Sequence, residues 1–184
     1  REALADDGIK FHSSVSGENA YLSYDIEKDG GCVPGTNAIK FEAKKDANTN
    51  TGIRLFNISE SKFSFEIGKK YRITWWAKAH RTNTEKDIKL RIFFDLGANE
   101  GSRFKWINST DKKINSYSRY PETNVSYSLT DEWTLYSKEL YIVDLRDADS
   151  FPEDGAVSGI FMMDSKDFMA GDTIWVDDIR YEVT

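Results

Sequence analysis

Polar and apolar residues alternate along most of this chain, and the three-to-four spacing of an amphipathic helix is nearly absent. Alternation sends successive side chains to opposite faces of an extended strand. The clearest run places Tyr71, Ile73, Trp75, Ala77 and Ala79 on one face and Arg72, Thr74, Trp76, Lys78 and His80 on the other. A second run sets Ile88, Leu90, Ile92, Phe94 and Leu96 against Lys89, Arg91, Phe93 and Asp95. Further strands are predicted at 20–26, 39–43, 63–67, 133–143, 158–164 and 173–183. Another covers 52–58, with Ile53 and Leu55 on one face and Arg54, Phe56 and Ile58 on the other. Shorter pieces are expected at 9–11 and, inside the long polar stretch 97–131, near 104–107 and 125–127. Turn formers such as Asp29-Gly30-Gly31, Pro34-Gly35 and Gly68-Lys69-Lys70 separate these runs. Many short strands with turns between them, each with one apolar face, predict an all-β, antiparallel β-sandwich. No linker or internal repeat divides the chain, so residues 1–184 are read as one domain.

The last run carries the first sign of special chemistry. By strict alternation Trp175, Asp177, Ile179, Tyr181 and Val183 share a face, which puts Asp177 inside an apolar row, whereas Asp178 falls among polar neighbours. A carboxylate removed from water needs a hydrogen-bonding partner, a counter-charge or a cation. A structural, hydrogen-bonded aspartate and a calcium ligand are the two readings.

Composition narrows the function classes. With 31 acidic against 25 basic residues the net charge is -6, which argues against nucleic acid and anionic membranes as main partners. No apolar run approaches the roughly 20 residues of a membrane-spanning helix, so no membrane insertion is expected. The chain opens at Arg1 without a charged-then-apolar leader and reads as an excised or mature piece of something longer. A single cysteine, Cys32, allows neither an internal disulfide nor a cysteine-rich metal site. His12 and His80 stand near no nucleophile pattern, and neither a Gly-x-Ser-x-Gly elbow nor a zinc-helix motif occurs.

Three stretches, in order, resemble carbohydrate-binding modules of the β-jelly-roll group that contains families 4, 9 and 22. They are the turn and strand Gly68-Lys69-Lys70-Tyr71-Arg72-Ile73-Thr74-Trp75-Trp76-Ala77-Lys78-Ala79, the strand opening Asp131-Glu132-Trp133, and the closing Trp175-Val176-Asp177-Asp178-Ile179. The resemblance covers roughly residues 36–184. It implies a two-sheet jelly roll with a structural calcium ion, Asp177 supplying a side-chain ligand and the turn at Gly35 a carbonyl. It also implies a glycan lying along one exposed sheet face built from strands 52–58, 88–96 and 158–164 and one segment of the long polar stretch. The outward residues of that face by alternation are Arg54, Phe56, Arg91, Phe93, Asp95 and Asp164, with Arg91 and Asp164 the best matches to polar sugar contacts. Some xylan-binding relatives carry a tryptophan where this chain has Asn50. Trp106, Tyr117 and Tyr120 are the candidate replacements as stacking platforms. Trp76 is outward by parity, but its strand resembles one of the opposite sheet, so packing beneath a loop is expected.

The expectation is thus a non-catalytic module binding a polysaccharide or oligosaccharide such as xylan or β-glucan. It would be attached to a catalytic module of the same parent chain, secreted or on a bacterial cell surface. A sandwich that only spaces domains, and a small polysaccharide lyase or hydrolase, are the alternatives.

Overall fold

The computed structural model describes residues 9–11, 15, 17–48, 53–58, 69–85, 87–95, 105–108, 114–115, 127–143, 158–163 and 167–184. Among them run fourteen strands. The first seven are β1 (Ile9–Phe11), β2 (Leu22–Glu27), β3 (Ala38–Ala43), β4 (Ala47–Asn48), β5 (Ile53–Ile58), β6 (Lys70–His80) and β7 (Lys89–Asp95). The rest are β8 (Lys105–Asn108), β9 (Ile114–Asn115), β10 (Tyr127–Ser128), β11 (Thr134–Val143), β12 (Ser158–Met163), β13 (Asp167–Phe168) and β14 (Thr173–Val183). Five make one sheet, in the order β1-β5-β12-β7-β10; seven make a second, in the order β2-β3-β14-β6-β11-β8-β9. A two-stranded ribbon joins β13 to β4. The pairings are antiparallel, as alternation predicts for a sandwich. The alternation at 63–67 lies outside the described residues.

The core fills the space between the two sheets. Every second residue of β6, from Tyr71 to Ala79, is buried, as the sequence predicts. Phe41 of the larger sheet stacks on Phe56 of the smaller, ring centroids 5.8 Å apart. Trp75 packs edge-on against Tyr127 across the sandwich and stacks on Tyr136 beside it, centroids 5.1 and 5.9 Å away. Burying each such ring stabilises the fold by about 1.5–3 kcal/mol.

Two bulges break the simple parity. In β5, Phe161 pairs with Phe56 and Met162 with Arg54, so Leu55 is an extra residue with no opposite number. A bulge of this kind returns two consecutive side chains to the same side, and Leu55 and Phe56 are both 0 % exposed. In β14, Asp177 pairs with Trp76 and Arg180 with Thr74, so three steps on β14 match two on β6. Asp178 takes the left-handed conformation there (φ 48°), which aspartate tolerates better than most residues. Ile174 and Val176 face the core before the bulge and Ile179 after it. The unbroken apolar row expected through Asp177 does not form: Trp175 and Asp177, both half-buried, lie on the opposite side of β14 from Val176.

Candidate functional site

The strands expected to build the binding face do lie together: β5, β12 and β7 are consecutive in the five-stranded sheet, and β10, from the long polar stretch, joins at its edge. Register sorts their residues into rows, and directly paired residues share a face. One row runs Phe11–Phe56–Phe161–Ile92, and another Ile53–Met163–Leu90–Tyr127. The burial of Ile53, Phe56 and Leu90 marks these as core rows. The rows between them belong to the other face: Lys10–Asn57–Ile160–Phe93, then Arg54–Met162–Arg91, with Lys89–Ser128 beyond and Ser158–Asp95 at the far end. Lys89 and Ser128 are exposed, as that placement requires.

The structure therefore brings Arg54 and Arg91 into one row with a single strand between them, about 10 Å apart across the sheet. Phe93 lies in the neighbouring row, and Asp95 is the partner of Ser158. Phe56 is a correction. Expected outward, it is buried against Phe41 and Phe11 because the bulge at Leu55 shifts the parity. Trp106 is placed apart from the others: it lies on β8, which pairs with β11 in the seven-stranded sheet. The polar stretch sends β8 to one sheet and β10 to the other, and neither segment carries a pattern that says which. Tyr117, Tyr120 and Asp164 lie outside the described residues.

Asp177 takes the structural, hydrogen-bonded role that is one of its two readings from the sequence. Its Oδ2 accepts a hydrogen bond from the Cys32 amide (2.9 Å) and its Oδ1 one from the Asp178 amide (2.7 Å). The carboxylate so ties the loop after β2 to the last strand. A Cβ on Gly31 would stand 2.1 Å from Thr36 Oγ1 and 2.8 Å from both Asp177 Oδ2 and the Thr36 carbonyl, so only glycine fits. Gly35 closes the same loop with φ 82°, a conformation that favours glycine. Burial first, and then the hydrogen bond and charge of Asp177, push the Cys32 thiol up to about 12.

Calcium takes six to eight oxygens, carbonyls included. Carboxylate, hydroxyl and carbonyl oxygens do gather here and suit it in kind, although each Asp177 oxygen already serves an amide. Among the described residues no group of three or more His, Cys, Asp or Glu could hold a metal ion.

Sequence reading also missed two structural devices. Asp172, buried, accepts the amides of Thr82 (2.6 Å) and Met169 (2.8 Å) and so fastens the turn before β14 to the end of β6. On the outer side of the seven-stranded sheet, the Lys78 ammonium lies over the rings of both Trp133 and Trp175, at 5.0 and 4.8 Å. Trp175 Nε1 donates to Glu27 Oε2. An Asp beside a Gly, or a Lys between two distant Trp residues, is too common a pattern to signal either in advance.

No family model matches the sequence, and no curated protein matches it. Solved structures do. The CBM22-1 xylan-binding domain of Paenibacillus barcinonensis Xyn10C is 10% identical, over 99% of this chain and 88% of that one, with a TM-score of 0.54. TmCBM61, solved with β-1,4-galactotriose, is 14% identical over 100% and 99% of the two chains, with a TM-score of 0.51. The CBM22-1–CBM22-2 tandem of the same Xyn10C matches at 11% identity and a TM-score of 0.52, over 100% of this chain and 44% of the tandem. The fold is that of the β-jelly-roll carbohydrate-binding modules. Identities this low carry the jelly roll across and leave the ligand to the residues of this chain. Among the described residues no helix is long and apolar enough to cross a membrane.

Proposed function

We propose that this jelly roll is a non-catalytic carbohydrate-binding module. Its glycan lies across β5, β12 and β7 on the face opposite the core. The observation that carries this reading is the pair of adjacent rows Arg54–Met162–Arg91 and Asn57–Ile160–Phe93, which set hydrogen-bonding residue types beside apolar ones at the centre of that sheet. Sugars ask for this mixture, since they present hydroxyls at their edges and C–H groups on their faces. The shared fold with a xylan-binding domain and with a module solved with a galactotriose supports a soluble β-glycan. The domain would raise the effective concentration of substrate for a catalytic module of the same secreted or cell-surface chain. A structural calcium ion, held by Asp177, Thr36 and the Gly35 carbonyl, is a separate part of the proposal, supported by the oxygens gathered at Gly31.

Affinity gels and calorimetric titration with xylan, β-glucan and β-galactan fragments test it. At least one should bind, with no reducing ends released. Arg91→Ala should weaken binding by about 1–3 kcal/mol, the scale of a lost charged hydrogen bond, and leave the melting temperature unchanged. Failure of every glycan to bind would leave a sandwich that only spaces domains, and measurable turnover would make the domain an enzyme.

A further inference from the structure

We propose that the bulge at Leu55 decides which glycans the β5–β12–β7 face accepts. It makes that face turn along its length, so that a bent chain fits and a straight ribbon does not. This rests on the proposed binding face and adds the shape of its ligand. The bulge is confined to one ladder. Six consecutive pairs, from Ser158 with Asp95 to Met163 with Leu90, join β12 to β7 without a shift. Between β12 and β5 the register slips once, between Phe161 and Met162, and leaves Leu55 without an opposite residue. The slip falls where β1 ends, since Phe11 opposite Phe56 is the last pair on that side.

Neither pairing nor alternation needs this residue. With Leu55 left out, Ile53, Arg54, Phe56 and Asn57 follow one another as a regular strand, core and outer places in turn, and keep the partners they have now. What the extra residue changes is the shape of the strand: a bulged strand bends, and its right-handed twist increases at that point. Arg54 and Asn57, the outer places of β5 on either side of the bulge, are three residues apart, whereas their partners Met162 and Ile160 on β12 are two apart. The two outer rows that run evenly over β7 and β12 therefore change direction relative to each other where they reach β5. The core side anchors this shape. Leu55 and Phe56 are both fully buried, and the Phe56 ring stacks on Phe41 at 5.8 Å and meets Phe11 edge-on at 6.3 Å. A face anchored in this way resists flattening, and a ligand already bent to match it loses little on binding. Leu55 itself faces the core, so it is a positioning residue that acts through β5.

The test compares two glucose oligosaccharides of equal length by calorimetric titration. A cello-oligosaccharide is a uniformly linked, extended ribbon; a mixed-linkage β-glucan oligosaccharide carries a differently placed link that bends it. Wild-type protein should bind the bent chain about tenfold more tightly, the scale of one or two hydrogen bonds. Two variants then separate shape from packing. Leu55→Ala keeps the extra residue, and with it the bulge; it should lower the melting temperature and keep the preference. Deletion of Leu55 removes the bulge; it should lower the melting temperature as well and bring the two affinities together. A preference that survives the deletion, or one lost equally in Leu55→Ala, would overturn the inference. If the deletion variant does not fold, amide resonances of the wild-type protein decide: those of residues 54–57 should shift with the bent chain along with those of β7, and a β5 that stays silent while β7 responds would overturn it. Equal wild-type affinities, or binding of xylan or galactan with neither glucan, would overturn the inference and leave the binding-module reading intact. Absence of binding to every glycan would overturn both.

Discussion

The outer faces of the two sheets differ in the residue types that register brings together. On the outer side of the seven-stranded sheet, lysines and arginines meet carboxylates or indole rings of the same sheet, as in Lys70 and Arg72 around Glu139 and in Lys78 between Trp133 and Trp175. On the five-stranded sheet, Arg54 and Arg91 share a row whose third described member is Met162. A charge matched within a sheet has its partner already, whereas the row through β5, β12 and β7 sets two basic residue types beside an apolar one. The lesson is that the informative quantity is how charges are distributed over rows, because both faces contain several basic residues.

The first way to break that comparison is to test the boundary between core and face on β5. Phe56→Ala should cost about 3–5 kcal/mol of stability, the range for truncating a buried aromatic ring, as read by denaturant unfolding. A variant that keeps its stability and loses only glycan affinity would put Phe56 back on the surface. Next comes the joint between loop and last strand. Asp177→Ala strands the Cys32 and Asp178 amides and should cost about 1–3 kcal/mol, while Asp178→Ala costs less. If calcium is bound there, chelator lowers the wild-type melting temperature and does nothing further to Asp177→Ala; a wild-type melting curve indifferent to chelator and calcium would remove the ion and keep the hydrogen bonds.

The thiol beside that carboxylate gives a pH-dependent signal. The folded protein holds the Cys32 proton up to about pH 12, whereas an unfolded chain releases it near 8.5. Its contribution to stability is complete below the unfolded value and is lost as pH climbs toward the folded one. Native protein should therefore alkylate slowly at pH 8–9, and Asp177→Asn should speed the reaction by removing the neighbouring charge. Alkylation of native protein as fast as of a free thiol would show that burial and Asp177 do not protect it. The smallest effect belongs to the paired face. Glu139→Gln should lower the melting temperature only slightly, should lose even that in about 1 M salt, and should leave glycan affinity untouched. A large loss of binding would place the ligand on the wrong sheet.

Much of the sandwich was legible in the chain. The alternation of β6 survives intact, from Tyr71 to His80, because a long strand with one buried face must keep its register. The grouping of β5, β7 and β12 into one sheet came from the resemblance of three motifs, and the topology agrees with it. Phe56 and Ile179 escaped for a shared reason. A bulge is a single unpaired residue whose presence depends on the partner strand, and alternation counted along one strand cannot register it. Trp106 escaped because a short strand carries too few residues to name its sheet.

By itself, then, the sequence determined the strands, their apolar faces and the antiparallel sandwich they must form, since each apolar face has to be covered and only another sheet can cover it. Tertiary structure alone decided which polar residues become neighbours. Arg54 and Arg91 stand 37 positions apart in the chain and two strands apart in the sheet, and Cys32 meets Asp177 across 145 positions. Cross-strand register sets those meetings, and register is fixed by packing and bulges that no local stretch of sequence contains.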